Sequence, residues 1–145
     1  MARHWLREAV KASLALRHGE RAPVIKLTFC LHRLPSLSRQ AFQHYWSEQH
    51  APLVAKHRET LRIRRYVQLH STTTDLNEAI RAGREAPEMY DGVAQLWWDD
   101  LESVVAAMSS SDGQAAGLAL LEDERKFIDL ARSPLFFGEE KTIFG

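Results

Sequence analysis

Cysteine is almost missing from this chain: Cys30 is the single one among 145 residues. No internal disulfide can form, and a reducing, cytoplasmic setting is the expectation. An excess of either charge is missing too, with 19 basic against 19 acidic residues and a formal net charge of +0. No chain-wide pull on nucleic acid or anionic lipid follows, so neither is expected as a partner. No apolar run approaches the ~20 residues that a membrane span needs. The start carries arginines and one short apolar patch, Ala12 to Leu16, without a signal-type apolar core or cleavage site. Repeats and low-complexity tracts are absent, which sets aside solenoids and disordered hubs. There is no His-x-x-x-His pair and no cysteine cluster, so neither a metal nor a tightly bound cofactor is expected.

What is present suffices for one domain. Apolar residues make up 45% and charged residues 26%, ordinary for a globular chain. A chain of this length buries about 68–70% of its unfolded surface and needs no staples. Residues 1–22 read as a helical extension, with Trp5, Ala9, Ala12 and Leu16 on one stripe and Gly19 as its stop. Residues 23–145 then form the domain proper.

The domain is organised around Ser38 to Leu61. Ser38 is an N-cap, and Phe42, Trp46 and His50 recur every four residues, so they stack on one helical face. Pro52 lacks an amide hydrogen. It either kinks this helix or opens a second one carrying Leu53, Val54 and His57.

Before that helix, Val24 to His32 alternates as a strand: Ile25, Leu27, Phe29 and Leu31 face one way, Lys26, Thr28, Cys30 and His32 the other. After it, Arg62 to His70 alternates again. Ile63, Arg65, Val67 and Leu69 share one face; Arg64, Tyr66, Gln68 and His70 share the other. Matching the two strands gives one aliphatic face and one mixed face holding His32, Cys30, Tyr66, Gln68 and His70. Ser71 to Asp91 is polar, long enough for a lid, with a short helix over Leu76 to Ala82, an Asp75–Glu78 capping box and Gly83 as its stop.

Gly92 to Asp99 is a third strand, in which the adjacent Trp97 and Trp98 must point to opposite faces. Asp99 or Asp100 caps a helix through Met108. A second helix runs Gln114 to Leu130, with Leu118, Leu121 and Phe127 inward and Glu122, Glu124 and Lys126 outward. Pro134 ends it, and Leu135 to Phe144 makes a last strand.

The order strand, helix, strand, strand, helix, strand is the ferredoxin-like split βαβ pattern of the α+β class. It gives a four-stranded antiparallel sheet with helices on one face. The bare face would expose an apolar patch on a monomer, and a two-fold homodimer packing sheet on sheet is the remedy.

With these elements placed, the chain resembles the EthD family of the dimeric α+β-barrel superfamily. The residues that carry the resemblance are Leu37-Ser38, Phe42, Tyr45-Trp46, His50-Ala51-Pro52, Arg65-Tyr66-Val67-Gln68 with His70, Tyr90-Asp91-Gly92, and Asp123 with Phe127 and Asp129. By this motif order the resemblance covers roughly Ile25 to Phe144, and the Tyr-Trp followed by His-Ala-Pro is its most specific part. Many members carry lysine before the arginine that ends the first strand; here His32 precedes Arg33. The superfamily includes cofactor-free monooxygenases, polyketide cyclases, lactone isomerases and haem enzymes. EthD relatives occur with ether-degrading oxygenase systems and, in fungi, among polyketide tailoring dehydratases. The resemblance implies a small-molecule cavity more firmly than a reaction, because fold does not fix function.

His50 has two roles open to it: a general acid/base at the cavity mouth, or a side chain that locks the break at Pro52. The expected site has His50, Tyr66 and His70 as catalytic residues, with His32, Trp46, Gln68 and Trp97 on the substrate. Tyr66 suits donation to a carbonyl or enolate oxygen. The function expected is acid/base-assisted oxidation, dehydration or isomerisation of a hydrophobic oxygenated molecule. The alternative is a non-catalytic ligand-binding or accessory protein of an oxygenase system.

Overall fold

A computed structural model describes residues 24–145. Residues 1–22, expected as a helical extension, lie outside the described part. Four strands form one antiparallel sheet: β1 (Ile25–Leu31), β2 (Arg65–His70), β3 (Gly92–Trp98) and β4 (Leu135–Gly138). Their order is β2-β3-β1-β4, the ferredoxin-like arrangement expected from the element order.

Ser38 caps α1 (Arg39–Tyr45), its hydroxyl accepting the amide hydrogen of Ala41. A wide π-helical turn, Trp46–His50, follows directly, and the Ala51 amide reaches back five residues to the Trp46 carbonyl. Pro52 follows at the start of α2 (Ala51–Lys56). The backbone stays helical through His50 and Ala51, so the proline sits just after the point where the hydrogen-bond ladder widens, in one continuous helical run rather than at the opening of a separate helix. Helix α3 (Arg58–Leu61) ends at Arg62 in the left-handed conformation, with φ of 59°.

Helix α4 (Asp75–Gly83) is capped by Thr74, which accepts from Asn77, rather than by the expected Asp75–Glu78 box. Asp100 caps α5 (Leu101–Ser109), and Ser110 caps α6 (Ser111–Glu124). Helix α6 stops six residues before the expected Leu130, and Leu118 on it is 53% exposed rather than inward. The last strand is four residues long and does not run to Phe144.

Helices α1 to α3 and α5 to α6 cover one sheet face. Two apolar clusters fill the gap. One gathers Phe29, Leu31, Phe42, Trp46, Phe127 and Ile128; the other gathers Ile25, Val54, Ile63, Trp98 and Val104. Burying each such side chain contributes about 1.5–3 kcal/mol. Tyr66 and Leu96 pack against both clusters, so they mark the seam between them.

The strand register corrects one expectation. Tyr66 pairs with Leu96, which pairs with Leu27, so these three share the helix-covered face. Gln68 with Ala94 and Phe29, and His70 with Gly92 and Leu31, lie on that face as well. The open face instead carries Lys26, Thr28, Cys30, Arg65, Val67, Leu69 and Trp97. The cause lies between Ile63 and Arg65. Ile63 is buried among the helices before the strand begins, yet Arg65, two residues on, faces the open side, so alternation counted from Ile63 inverts the faces of β2.

Candidate active site

An apolar cavity of about 170 Å³ opens at the seam between the two clusters. Its walls come from the sheet (Leu27, Leu96, Trp98), from the π-helical turn and α2 (Trp46, Val54) and from α6 (Leu120). Three titratable side chains break the apolar lining: His50, Tyr66 and Glu124.

His50 is 6% exposed, and its Nδ1 lies 2.8 Å from Oδ2 of Asp123. A carboxylate can only accept, so Nδ1 carries the proton, and in the neutral ring Nε2 is the bare nitrogen. Tyr45 donates its hydroxyl to the other carboxylate oxygen, Oδ1, at 2.6 Å. Burial alone would raise the Asp123 carboxyl, but Tyr45 and His50 outweigh it and hold it below its ordinary value. Asp123 therefore stays ionised. The Tyr45 phenol, donating to that carboxylate, is pushed up to about 12. Burial pulls His50 below its ordinary 6.5, and Asp123 offsets only part of the shift. The ring rests on Phe127, with centroids 5.1 Å apart. The result is a neutral imidazole held by an ionised carboxylate beside an apolar cavity, the arrangement of an oriented general base.

Tyr66 faces the same cavity from β2. Gln68 Nε2 donates to the Tyr66 oxygen at 2.8 Å and to the Trp46 carbonyl at 3.1 Å. That carbonyl already accepts from Ala51 across the π-helical turn, so the wide turn serves two donors. The carbonyl fixes which end of the Gln68 amide is nitrogen, leaving Oε1 for His70 Nε2 at 2.8 Å. Tyr66 thus receives a hydrogen bond, and its own proton is free for a ligand oxygen.

The third group, Glu124, was expected outward and instead lines the cavity. Burial first, and the neighbouring Asp123 charge second, push its carboxyl up to about 7. Among the described residues no group of three or more His, Cys, Asp or Glu is arranged to hold a metal.

The seven expected site residues divide. His50, Tyr66 and Trp46 line the cavity. Gln68 and His70 form a chain behind Tyr66, and His70 stacks on Trp46 with centroids 4.7 Å apart. His32 sits at the end of β1 against Tyr90, and Trp97 lies on the open sheet face between Lys26 and Arg65. Asp123 and Glu124 were missed as site residues. Asp123 stands among the residues that carry the family resemblance, but nothing local marks it or Glu124 as facing His50, a contact that spans 73 positions for Asp123.

A larger, open cleft of about 620 Å³ lies between α4 and the sheet edge, bordered by Arg39, His70, Ile80, Met89 and Tyr90. Beside it Asp91, 2% exposed, accepts from the Arg33 backbone amide and from the guanidinium groups of Arg33 and Arg39. This knot ties the end of β1 and the start of α1 to the start of β3, and Arg39 carries it to the border of the cleft.

No curated protein matches the chain. Among solved structures it is similar to an ethyl tert-butyl ether D (EthD) family protein from Bacillus halodurans, with 24% identity, 81% of this chain and 99% of that one covered, and a TM-score of 0.54. An EthD-like protein from Ralstonia eutropha matches at 17% identity over 85% and 96% of the two chains, with a TM-score of 0.54. A dimeric protein of unknown function and ferredoxin-like fold from Bacteroides fragilis matches at 12% identity over 83% and 100%, with a TM-score of 0.50. At such identities these likenesses speak for the fold. The EthD domain family matches residues 34–131, a stretch that contains His50, Tyr66, Asp123 and Glu124, and the chain belongs to the EthD family.

Proposed function

We propose that the protein is a small-molecule enzyme that moves a proton on a hydrophobic, oxygen-bearing substrate. The observation that carries this reading is the His50–Asp123 pair at 2.8 Å on the wall of an apolar cavity that also holds Tyr66. His50 Nε2 takes a proton from the carbon next to a carbonyl. The electron pair of that C–H bond forms a C=C bond, the carbonyl π pair moves onto oxygen, and the Tyr66 hydroxyl donates to the enolate oxygen. Isomerisation, dehydration and attack on oxygen can all begin with this enolate. No step of it requires a metal or an organic cofactor.

The size of the cavity supports a compact substrate, since about 150 Å³ takes one benzene-sized ring. A neighbouring apolar recess of about 250 Å³ shares Leu27, Leu61, Trp98 and Leu135 with it and leaves room for a hydrocarbon extension. The protein acts as a homodimer in this reading. Phe136 and Leu69 on the open sheet face are 57% exposed each, and the Bacteroides fragilis neighbour is described as dimeric. Among the described residues no helix is long and apolar enough to cross a membrane. The lone Cys30 suits a reducing, cytoplasmic compartment.

The test is hydrogen exchange on cyclohexanone in heavy water, followed by mass spectrometry. The protein should speed deuterium uptake at the carbons beside the carbonyl over buffer alone. His50→Asn should remove about 10²-fold or more of that effect. Equal rates with and without protein, while the ketone binds, would leave the accessory, ligand-carrying role instead.

A further inference from the structure

Glu124 is the one titratable group in the cavity that the enolate step does not use. It sits on the last turn of α6, next to Asp123. Neighbouring helical positions point about 100° apart, which follows from 3.6 residues per turn. The two carboxyls therefore part company: Asp123 goes to Tyr45 and His50, and Glu124 goes to the cavity wall. No hydrogen bond from a described residue contributes to the state of the Glu124 carboxyl. His50 from the π-helical turn and Tyr66 from β2 are the other titratable groups on the wall; the remaining lining is uncharged. Lys126, which reaches Asp123 at 3.5 Å, is not on that wall.

We propose that Glu124 is a second catalytic residue, a carboxylic acid that hands its proton to the substrate while His50 removes one elsewhere on the same molecule. This rests on the enolate reading of His50 and Tyr66. The substrate class it points to is a β,γ-unsaturated ketone of about one ring. His50 Nε2 removes the proton between the carbonyl and the double bond, giving a dienolate held by Tyr66. The Glu124 O–H bond breaks, its proton forms a C–H bond at the far end, and the double bond moves into conjugation. Substrate and product are isomers, so no oxidant or reductant is consumed. The imidazolium and the carboxylate left behind return to their starting states by one proton exchanged through water.

Two groups with opposite requirements limit the working range. The base must be free, which holds above the lowered value of His50, and the acid must be protonated, which holds below about 7.

The experiment uses cyclohex-3-en-1-one as probe and follows its conversion to the conjugated isomer by ultraviolet absorbance, beside deuterium uptake by cyclohexanone. The wild type should isomerise the probe with a bell-shaped pH profile whose alkaline limb falls near 7. Glu124→Gln, similar in shape but without a proton to give, should lose about 10²-fold or more in kcat with KM little changed, and should lose that limb. Glu124→Asp should restore part of the rate and the limb. An isomerisation rate in Glu124→Gln equal to that of the wild type overturns the proposal. So does a wild type that exchanges cyclohexanone but does not isomerise the enone, and in that case His50 keeps its role. If cyclohexanone does not exchange either, the enolate reading falls and Glu124 loses its role with it.

Discussion

Asp123 Oδ2 accepts the Nδ1 hydrogen of His50 at 2.8 Å, while Tyr45 donates to the opposite oxygen of the same carboxylate at 2.6 Å. One buried acid thus holds the His50 imidazole in a single tautomer and is itself held from behind. Asp123→Ala leaves both partners without an acceptor. The expected loss is about 1–3 kcal/mol of stability, the cost of stranding the buried His50 Nδ1–H, since the half-buried Tyr45 hydroxyl can turn to water. Urea unfolding should show a lower midpoint with an unchanged slope.

Stability should depend on pH in two opposed ways. His50 is held below its ordinary 6.5, so its share is present above 6.5 and is lost as pH falls through its folded value. Glu124 is raised from 4.5 to about 7, so its share is complete below 4.5 and is lost as pH rises through about 7. Replacing Glu124 by Gln removes only the second loss. Thermal melts should show the variant gaining on the wild type between pH 5 and 8. A constant gap over that range contradicts the raised carboxyl.

Gln68 is expected to act as a positioning residue through Tyr66. Gln68→Leu removes the donor to the Tyr66 oxygen and the acceptor of His70. Tyr66→Phe should slow ketone exchange by about 10²-fold, the scale of losing one donor to a developing oxyanion. Gln68→Leu should slow it less, by about tenfold, in kcat rather than KM.

Gly92 is fixed by contact. A methyl group there would run into the Trp46 ring and the Leu69 carbonyl. Gly92→Ala should cost about 1–3 kcal/mol, as overpacking of a filled core does. Calorimetry should place its Tm several degrees lower.

Trp97 marks the sheet face opposite the helices. It lies on the open sheet face beside Lys26 and Arg65, away from the cavity. Trp97→Glu should shift the protein from dimer to monomer in sedimentation velocity runs. A dimer unmoved by the change argues against sheet-on-sheet pairing.

The element order was legible because each segment announces itself locally: Ser38 before an aromatic stripe, alternation in β1, adjacent tryptophans in β3. Trp46 and His50 stood out for the same reason. The faces of β2 were misread because parity was counted from Ile63, which is buried ahead of the strand and out of step with it. Glu124 was read as solvent-facing because helix α6 is only weakly two-sided, with Leu118 exposed and Asp123 buried. Its role depends on which side of the helix meets β2, and that is set by packing at long range. His32 and Trp97 were placed with the site by face alone; the register and the strand ends put them elsewhere.

Nitrogen-15 NMR of the His50 ring tests the central claim most directly. At neutral pH, Nδ1 should carry the proton and Nε2 should be bare, with ring titration below 6.5 and an Nε2 shift when cyclohexanone fills the cavity. A proton resident on Nε2 at neutral pH, or a ring indifferent to the ketone, would contradict a base aimed into the cavity.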